Sequence, residues 1–222
     1  FYKVGEWVGV NNLVKWMNKF NFGQETGIDL PAEVPGFVPT PDWKLEAKGE
    51  RWYLGNTYHL SIGQGDLTTT PLQVALETAA VVNGGKICTP HVALPENNNC
   101  RVLDVNDKHW RLVKQGMVKA CAEGGTAFPF FDFHAESSPR QGRVGCKTGT
   151  AQISGNSETT HAWFTLFYPS EQPEIVMTVL LEKGGSGSYD AAPVAKEIIE
   201  RHEDRYQPDV DLIPTEGEVI GE

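Results

Sequence analysis

The chain has 222 residues, 40% of them hydrophobic and 22% charged, enough for one or two globular domains with a buried core. A formal charge of −10 and a pI near 5.1 exclude a surface built to neutralise phosphates, so no nucleic-acid partner is expected. No run approaches the ~18 apolar residues of a membrane span, and with a Phe1-Tyr2 start, without Met, any anchor or targeting segment is expected to lie outside this chain.

Leu13, Trp16, Met17 and Phe20 recur at helical spacing behind Asn11 and Asn12, which predicts a first helix capped by one of those asparagines. From Asn21 to about Thr57, prolines at 31, 35, 39 and 41 break every period and predict a long excursion without regular structure. Thr70-Pro71 then opens a helix with Leu72, Ala75, Leu76 and Ala79 on one face, stopped by Gly84 and Gly85. A further stripe, Trp110, Val113, Met117, Ala120 and Cys121, starts after Asn106 and ends at Gly124 and Gly125; its Trp and Met are expected in the core.

The second half reads as extended segments near residues 143–152, 160–168 and 174–182, rich in β-branched and aromatic side chains and joined by short, antiparallel connections. Pro193 opens a last helical pattern through Val194, Ile198 and Ile199, and an acidic tail, expected to be disordered, occupies 203–222. Helices followed by consecutive antiparallel strands give an α+β class, with one folded unit over 1–202.

The four cysteines, Cys88, Cys100, Cys121 and Cys146, show neither C-x-x-C spacing nor a His partner at metal-ligand distance, so no metal site and no cofactor are expected. They read as small buried hydrophobes, the alternative being a Cys88–Cys100 disulfide in an oxidising compartment. Cys146 precedes Lys147 and reads as a buried structural thiol; facing a cleft, it would instead be a reactive one.

Lys147-Thr148-Gly149-Thr150 ends an extended segment. Such a string sets a cation, hydroxyls and backbone N–H groups along one strand edge, with the glycine leaving room for a substrate, an arrangement suited to serine acyl transfer. Lys147 would set the electrostatics near a nucleophile, the Thr148 and Thr150 hydroxyls would hold a carboxylate, and the Thr150 backbone N–H would be half of an oxyanion hole. Gly63 and Gly65, too weak a signal for a nucleotide loop, read as a turn beside that cleft.

The string Lys147–Gln152 followed by His161-Ala162-Trp163-Phe164 resembles the penicillin-binding transpeptidases, as do Ser61-Ile62-Gly63-Gln64-Gly65, Thr70-Pro71-Leu72-Gln73 and Asn83-Gly84-Gly85 upstream. Thr26-Gly27-Ile28-Asp29-Leu30-Pro31, Pro39-Thr40-Pro41, Trp43-Lys44, Gly125-Thr126-Ala127 and Ala191-Ala192-Pro193 are similar to the class B, elongation-type (penicillin-binding protein 2-like) subgroup. The matches follow one order over roughly residues 1–202. The resemblance implies the transpeptidase and serine β-lactamase-like fold, an antiparallel sheet flanked by helices, with its N-terminal portion missing.

That family works with Ser-x-x-Lys, Ser-x-Asn and Lys-Thr-Gly, of which this chain carries the third. None of Ser61, Ser137, Ser138, Ser154, Ser157, Ser170, Ser186 and Ser188 has lysine three places on, and Ser154-Gly155-Asn156, placed after the triad, reads as a turn. The resemblance therefore implies part of a serine D,D-transpeptidase that cross-links peptidoglycan stem peptides and binds β-lactam antibiotics, inactive as this chain alone. Its expected partners are the missing N-terminal part of the protein and cell-elongation membrane proteins, at the extracytoplasmic face of the bacterial cytoplasmic membrane. Two alternatives are a serine β-lactamase or β-lactam sensor, and a non-catalytic scaffold lobe.

Overall fold

Glycine and proline set most of the element boundaries in the computed structural model, which describes residues 1–93, 99–135, 143–153 and 156–206. Helices α1 (Tyr2–Val8) and α2 (Val10–Lys19) meet at Gly9, whose φ of 75° breaks the run in a backbone state that glycine tolerates. Gly9 thus caps α2, correcting the expected asparagine cap: Asn11 and Asn12 lie inside the helix, and the Asn12 amide donates to the Val8 carbonyl at 2.8 Å.

The proline-rich stretch holds two helices where none was expected. Thr40 accepts from the Trp43 N–H and Pro41 takes the first turn of α3 (Pro41–Lys48), which stops at Gly49 in a left-handed conformation. Helix α4 (Leu54–Ser61) follows. The buried Lys44 ties the two together, donating to Asn56 Oδ1 at 3.1 Å and pairing with Glu50 at 3.1 Å.

Helix α5 (Pro71–Val82) begins as the sequence predicts, with Thr70 and Gln73 forming a reciprocal capping box. Its most buried side chains are Gln73, Thr78 and Ala80, while the expected apolar face is only half-buried. Gln73 is responsible for part of this: its Nε2 meets the carbonyls of Asn21, Gln24 and Pro35 at 2.8–3.0 Å and so pins the irregular stretch before α3. Gln73→Ala removes those donors and half of the cap, leaving three part-buried carbonyls without that partner. We expect it to cost about 2–4 kcal/mol, read as a lower midpoint in chemical unfolding; a loss below about 0.5 kcal/mol would show that water replaces the side chain.

Strands β1 (Lys86–Cys88) and β2 (Cys100–Val102) pair antiparallel, with Cys88 opposite Cys100. Helix α6 (Asp107–Cys121) is capped by Asn106, which accepts from the Lys108 N–H at 2.9 Å. Trp110 is buried with Ala80, Ile87 and Leu103 as expected, whereas Met117 is half-buried and Val113 exposed. The reading of all four cysteines as unbonded hydrophobes is corrected: Cys88–Cys100 and Cys121–Cys146 are disulfides. Opposition across a strand pair brings the first together, and packing of α6 on the main sheet brings the second.

That sheet is antiparallel, ordered β3 (Gly145–Ile153), β4 (Asn156–Tyr168) and β5 (Ile175–Leu181). One face packs on the 3-10 turn Phe128–His134 and on α7 (Ala192–Tyr206), burying Phe130, Phe133, Phe164, Leu166, Ala195 and Ile199. The Phe130 and Phe164 rings stack at 5.4 Å. Against the other face lies α5, where Thr78 and Thr165 share a buried hydrogen bond of 2.9 Å. Helix α7 reaches Tyr206, past the expected start of the tail at 203; residues 207–222, like Ser154 and Gly155, lie outside the described residues. Among the described residues no helix is long and apolar enough to cross a membrane.

Candidate functional site

Strand β3 lies at the edge of the sheet, paired with β4 along one side only. In an antiparallel ladder the N–H and C=O of one residue point to the same side, and the next residue's point to the other. The Thr150 carbonyl accepts from Gln64 Nε2 at 3.2 Å, and the Gln152 N–H donates to Gln64 Oε1 at 3.3 Å. Both groups therefore point away from β4, and so does the N–H of Thr150, which shares the side of its own carbonyl. The free edge faces a groove of about 800 Å³.

Lys147, Thr148, Gly149 and Thr150 all line that groove. The exposed Lys147 side chain folds back so that Nζ donates to the Thr148 carbonyl. Partial desolvation by the groove lowers its pKa from the ordinary lysine value. Thr148 Oγ1 donates to Thr126 Oγ1 at 3.1 Å, and Thr150 Oγ1 accepts from the Gly187 N–H at 3.2 Å, which leaves the Thr150 hydroxyl proton for a ligand. At Gly149 a Cβ would stand 3.1 Å from Trp163 Cβ. Gly187 packs over the same strand pair so closely that a Cβ would lie 2.3 Å from the Gly149 carbonyl oxygen.

Gly63 and Gly65, with φ of 73° and 84°, shape the turn that lays Gln64 along the strand edge, as the sequence reading places them. Gln64 thus acts as a one-residue substitute for a neighbouring strand and keeps the edge straight beside the Thr150 N–H. Gln64, Thr126 and Gly187 went unassigned in the sequence because what marks them is contact with β3, not local pattern. The opposite wall of the groove is apolar, formed by Leu13, Trp16, Met17, Phe20 and Phe22. Such surroundings strengthen every charge and dipole aimed into the groove. Among the described residues no group of three or more His, Cys, Asp and Glu side chains is placed to hold a metal ion.

Glu77 lines the same groove with Val74, Thr165, Leu180 and Glu182, and burial pushes its carboxyl up to about 7. A carboxyl with a raised folded pKa binds its proton more tightly in the native state than in the unfolded chain, so stability falls as pH rises from the ordinary value of 4.5 through about 7. Glu77→Gln removes that penalty. We expect the variant to match the parent chain near pH 4.5 and to exceed it at pH 8 by about 1–3 kcal/mol, the lower end allowing for water in the groove. Urea unfolding of the chain at the two pH values checks this, and an equal gain at both would place the effect outside the titration.

The family profile of the penicillin binding protein transpeptidase domain matches residues 1–200. The chain is 34% identical to the peptidoglycan D,D-transpeptidase MrdA of Haemophilus influenzae over an alignment of 236 residues, covering 95% of this chain and 35% of that protein. It thus spans about a third of the length of the curated relatives it matches. Among solved structures, penicillin-binding protein 2 of Helicobacter pylori in complex with MreC superposes with a TM-score of 0.79 at 33% identity, over 92% of this chain and 38% of that one. Penicillin-binding protein 2 of Pseudomonas aeruginosa in complex with WCK 5153 gives 0.77 at 32% identity, over 90% and 46%.

Proposed function

The chain belongs to the penicillin-binding protein transpeptidase family, and from that membership we propose that it forms part of a serine D,D-transpeptidase that cross-links peptidoglycan stem peptides. The observation that carries the reading is the free edge of β3, where the Lys147 ammonium, the Thr148 and Thr150 hydroxyls and the outward Thr150 N–H share one groove. A serine outside this chain attacks the D-Ala-D-Ala carbonyl, expels the terminal D-alanine and leaves an acyl-enzyme that a neighbouring stem amine resolves. The Thr150 N–H donates to the oxyanion, Thr148 and Thr150 hold the terminal carboxylate, and Lys147 supplies positive charge beside the nucleophile. β-Lactams acylate the same serine. The chain alone, with no serine three places before a lysine, is inactive.

The apolar wall of the groove receives the nucleophile-bearing part of the protein. Two disulfides agree with an oxidising, extracytoplasmic compartment. The Helicobacter pylori relative was solved with MreC, and a protein like MreC is the partner we propose. Incubation of the full-length protein with fluorescent penicillin and with a D-Ala-D-Ala stem peptide tests the reading. A long-lived acyl-serine together with cross-linked product supports it. Rapid turnover of a chromogenic cephalosporin would make the protein a β-lactamase, and no adduct at all would leave a non-catalytic lobe.

A further inference from the structure

We propose that the Cys121–Cys146 disulfide is a positioning clamp that holds the Thr148 hydroxyl at the carboxylate end of the groove. The inference rests on the transpeptidase reading above and adds a role for residues outside the reacting set. Cys146 immediately precedes Lys147 on β3, and Cys121 is the last residue of α6; both are fully buried. Side chains alternate along a strand, so Cys146 and Thr148 project from the same face. Five residues beyond Cys121 stands Thr126, whose Oγ1 accepts from Thr148 Oγ1 at 3.1 Å. The end of α6 therefore meets the strand twice, through the Cys121–Cys146 bond and through Thr126–Thr148.

The peptide between those two contacts is stiff. The Gly125 N–H donates to the Ala122 carbonyl at 2.9 Å, and the Ala127 N–H donates to the Ala120 carbonyl at 3.0 Å. At Gly125 a Cβ would lie 2.3 Å from the Ala120 oxygen, so the turn is closed tightly on the helix end. On its outer side β3 is held by Gln64 alone among the described residues, near Thr150 and Gln152. Among the described residues the Cys146–Thr148 end of that edge is met by the end of α6, and a covalent bond at Cys146 fixes how far the helix end slides along the strand. A carboxylate only accepts, so at a bound ligand the Thr148 proton turns to it and Thr126 Oγ1 donates to Thr148 Oγ1 in exchange; a slide would carry Thr126 away from Thr148 and free the hydroxyl to rotate off the carboxylate. Cys88–Cys100 closes the separate β1–β2 pair and serves as the control.

The test uses the full-length protein and rapid-mixing acylation by a penicillin, which separates the apparent binding constant from the limiting acylation rate. Cys121→Ala/Cys146→Ala is expected to weaken apparent binding about three- to tenfold, the scale of one hydrogen bond, with the limiting rate changed by less than about twofold. Cys88→Ala/Cys100→Ala is expected to leave both constants unchanged. In a Thr148→Val background the clamp variant should add no further loss, because the hydroxyl it positions is gone. Cys121→Val/Cys146→Ala, which refills the space of the sulfurs, gives the same comparison should the alanine pair fail to fold. A lower melting temperature with an unchanged binding constant, or alkylation of Cys121 and Cys146 in the unreduced denatured protein, overturns the clamp while leaving the transpeptidase reading intact. Absence of any acyl-enzyme in the parent protein overturns the transpeptidase reading, and the clamp falls with it.

Discussion

Lys147→Ala in the full-length protein is expected to abolish penicillin labelling while leaving the melting temperature close to that of the parent. The side chain is exposed, so its removal opens no cavity. Among the described residues no carboxylate pairs with the ammonium, which leans only on the Thr148 carbonyl. A cation held partly desolvated without a counter-ion is costly as a structural feature and useful as a fixed charge for an anionic ligand or transition state. Electrostatic groups of this kind typically supply about 2.7–4 kcal/mol of barrier lowering, or 10²–10³-fold in rate. Because desolvation lowers the pKa of Lys147, its charge is lost as pH rises through a value below the ordinary 10.5. Labelling of the parent should fall over that interval, and Lys147→Arg, which keeps its charge, should resist the fall. Undiminished labelling of Lys147→Ala at neutral pH would remove the lysine from the mechanism.

The fold was legible wherever its signals were local. Thr70-Pro71 with Gln73 three places on marks the start of α5, and Asn106 marks that of α6, because a cap is a contact between near neighbours in sequence. Thr40-Pro41 carries the same kind of signal, but the prolines around it and the short span of α3 hid the helix inside a stretch that reads as irregular. On α5 the burial of Gln73 and Thr78 runs against hydropathy, since local bonds are completed by partners far away in sequence: three loop carbonyls for Gln73, and for Thr78, which also bonds the Val74 carbonyl one turn back, Thr165. The triad strand was legible because a six-residue string sits on one edge. Gln64 reaches Thr150 and Gln152 across separations of 86 and 88 residues, and Cys121 reaches Cys146 across 25, so no spacing rule announces them.

Thr150→Pro tests the outward N–H itself. A central strand position would not accept proline, since the ring removes a ladder donor; on an edge strand, with the N–H turned away from the neighbour, the ladder loses nothing. The contacts of Gln64 with the Thr150 carbonyl and the Gln152 N–H place Thr150 in that orientation. The substitution should therefore leave the β3–β4 pairing in place while deleting one donor to the developing oxyanion, a loss of about 2.7–4 kcal/mol or 10²–10³-fold in the limiting acylation rate. It also deletes the hydroxyl that accepts from the Gly187 N–H. Thr150→Val isolates that second loss, because valine keeps the backbone donor and the β-branched shape. If the N–H is the oxyanion donor, Thr150→Val weakens apparent penicillin binding and acylates at nearly the parental limiting rate, whereas Thr150→Pro binds comparably to Thr150→Val and acylates slowly. Equal limiting rates in the two variants would assign the oxyanion to donors outside this strand.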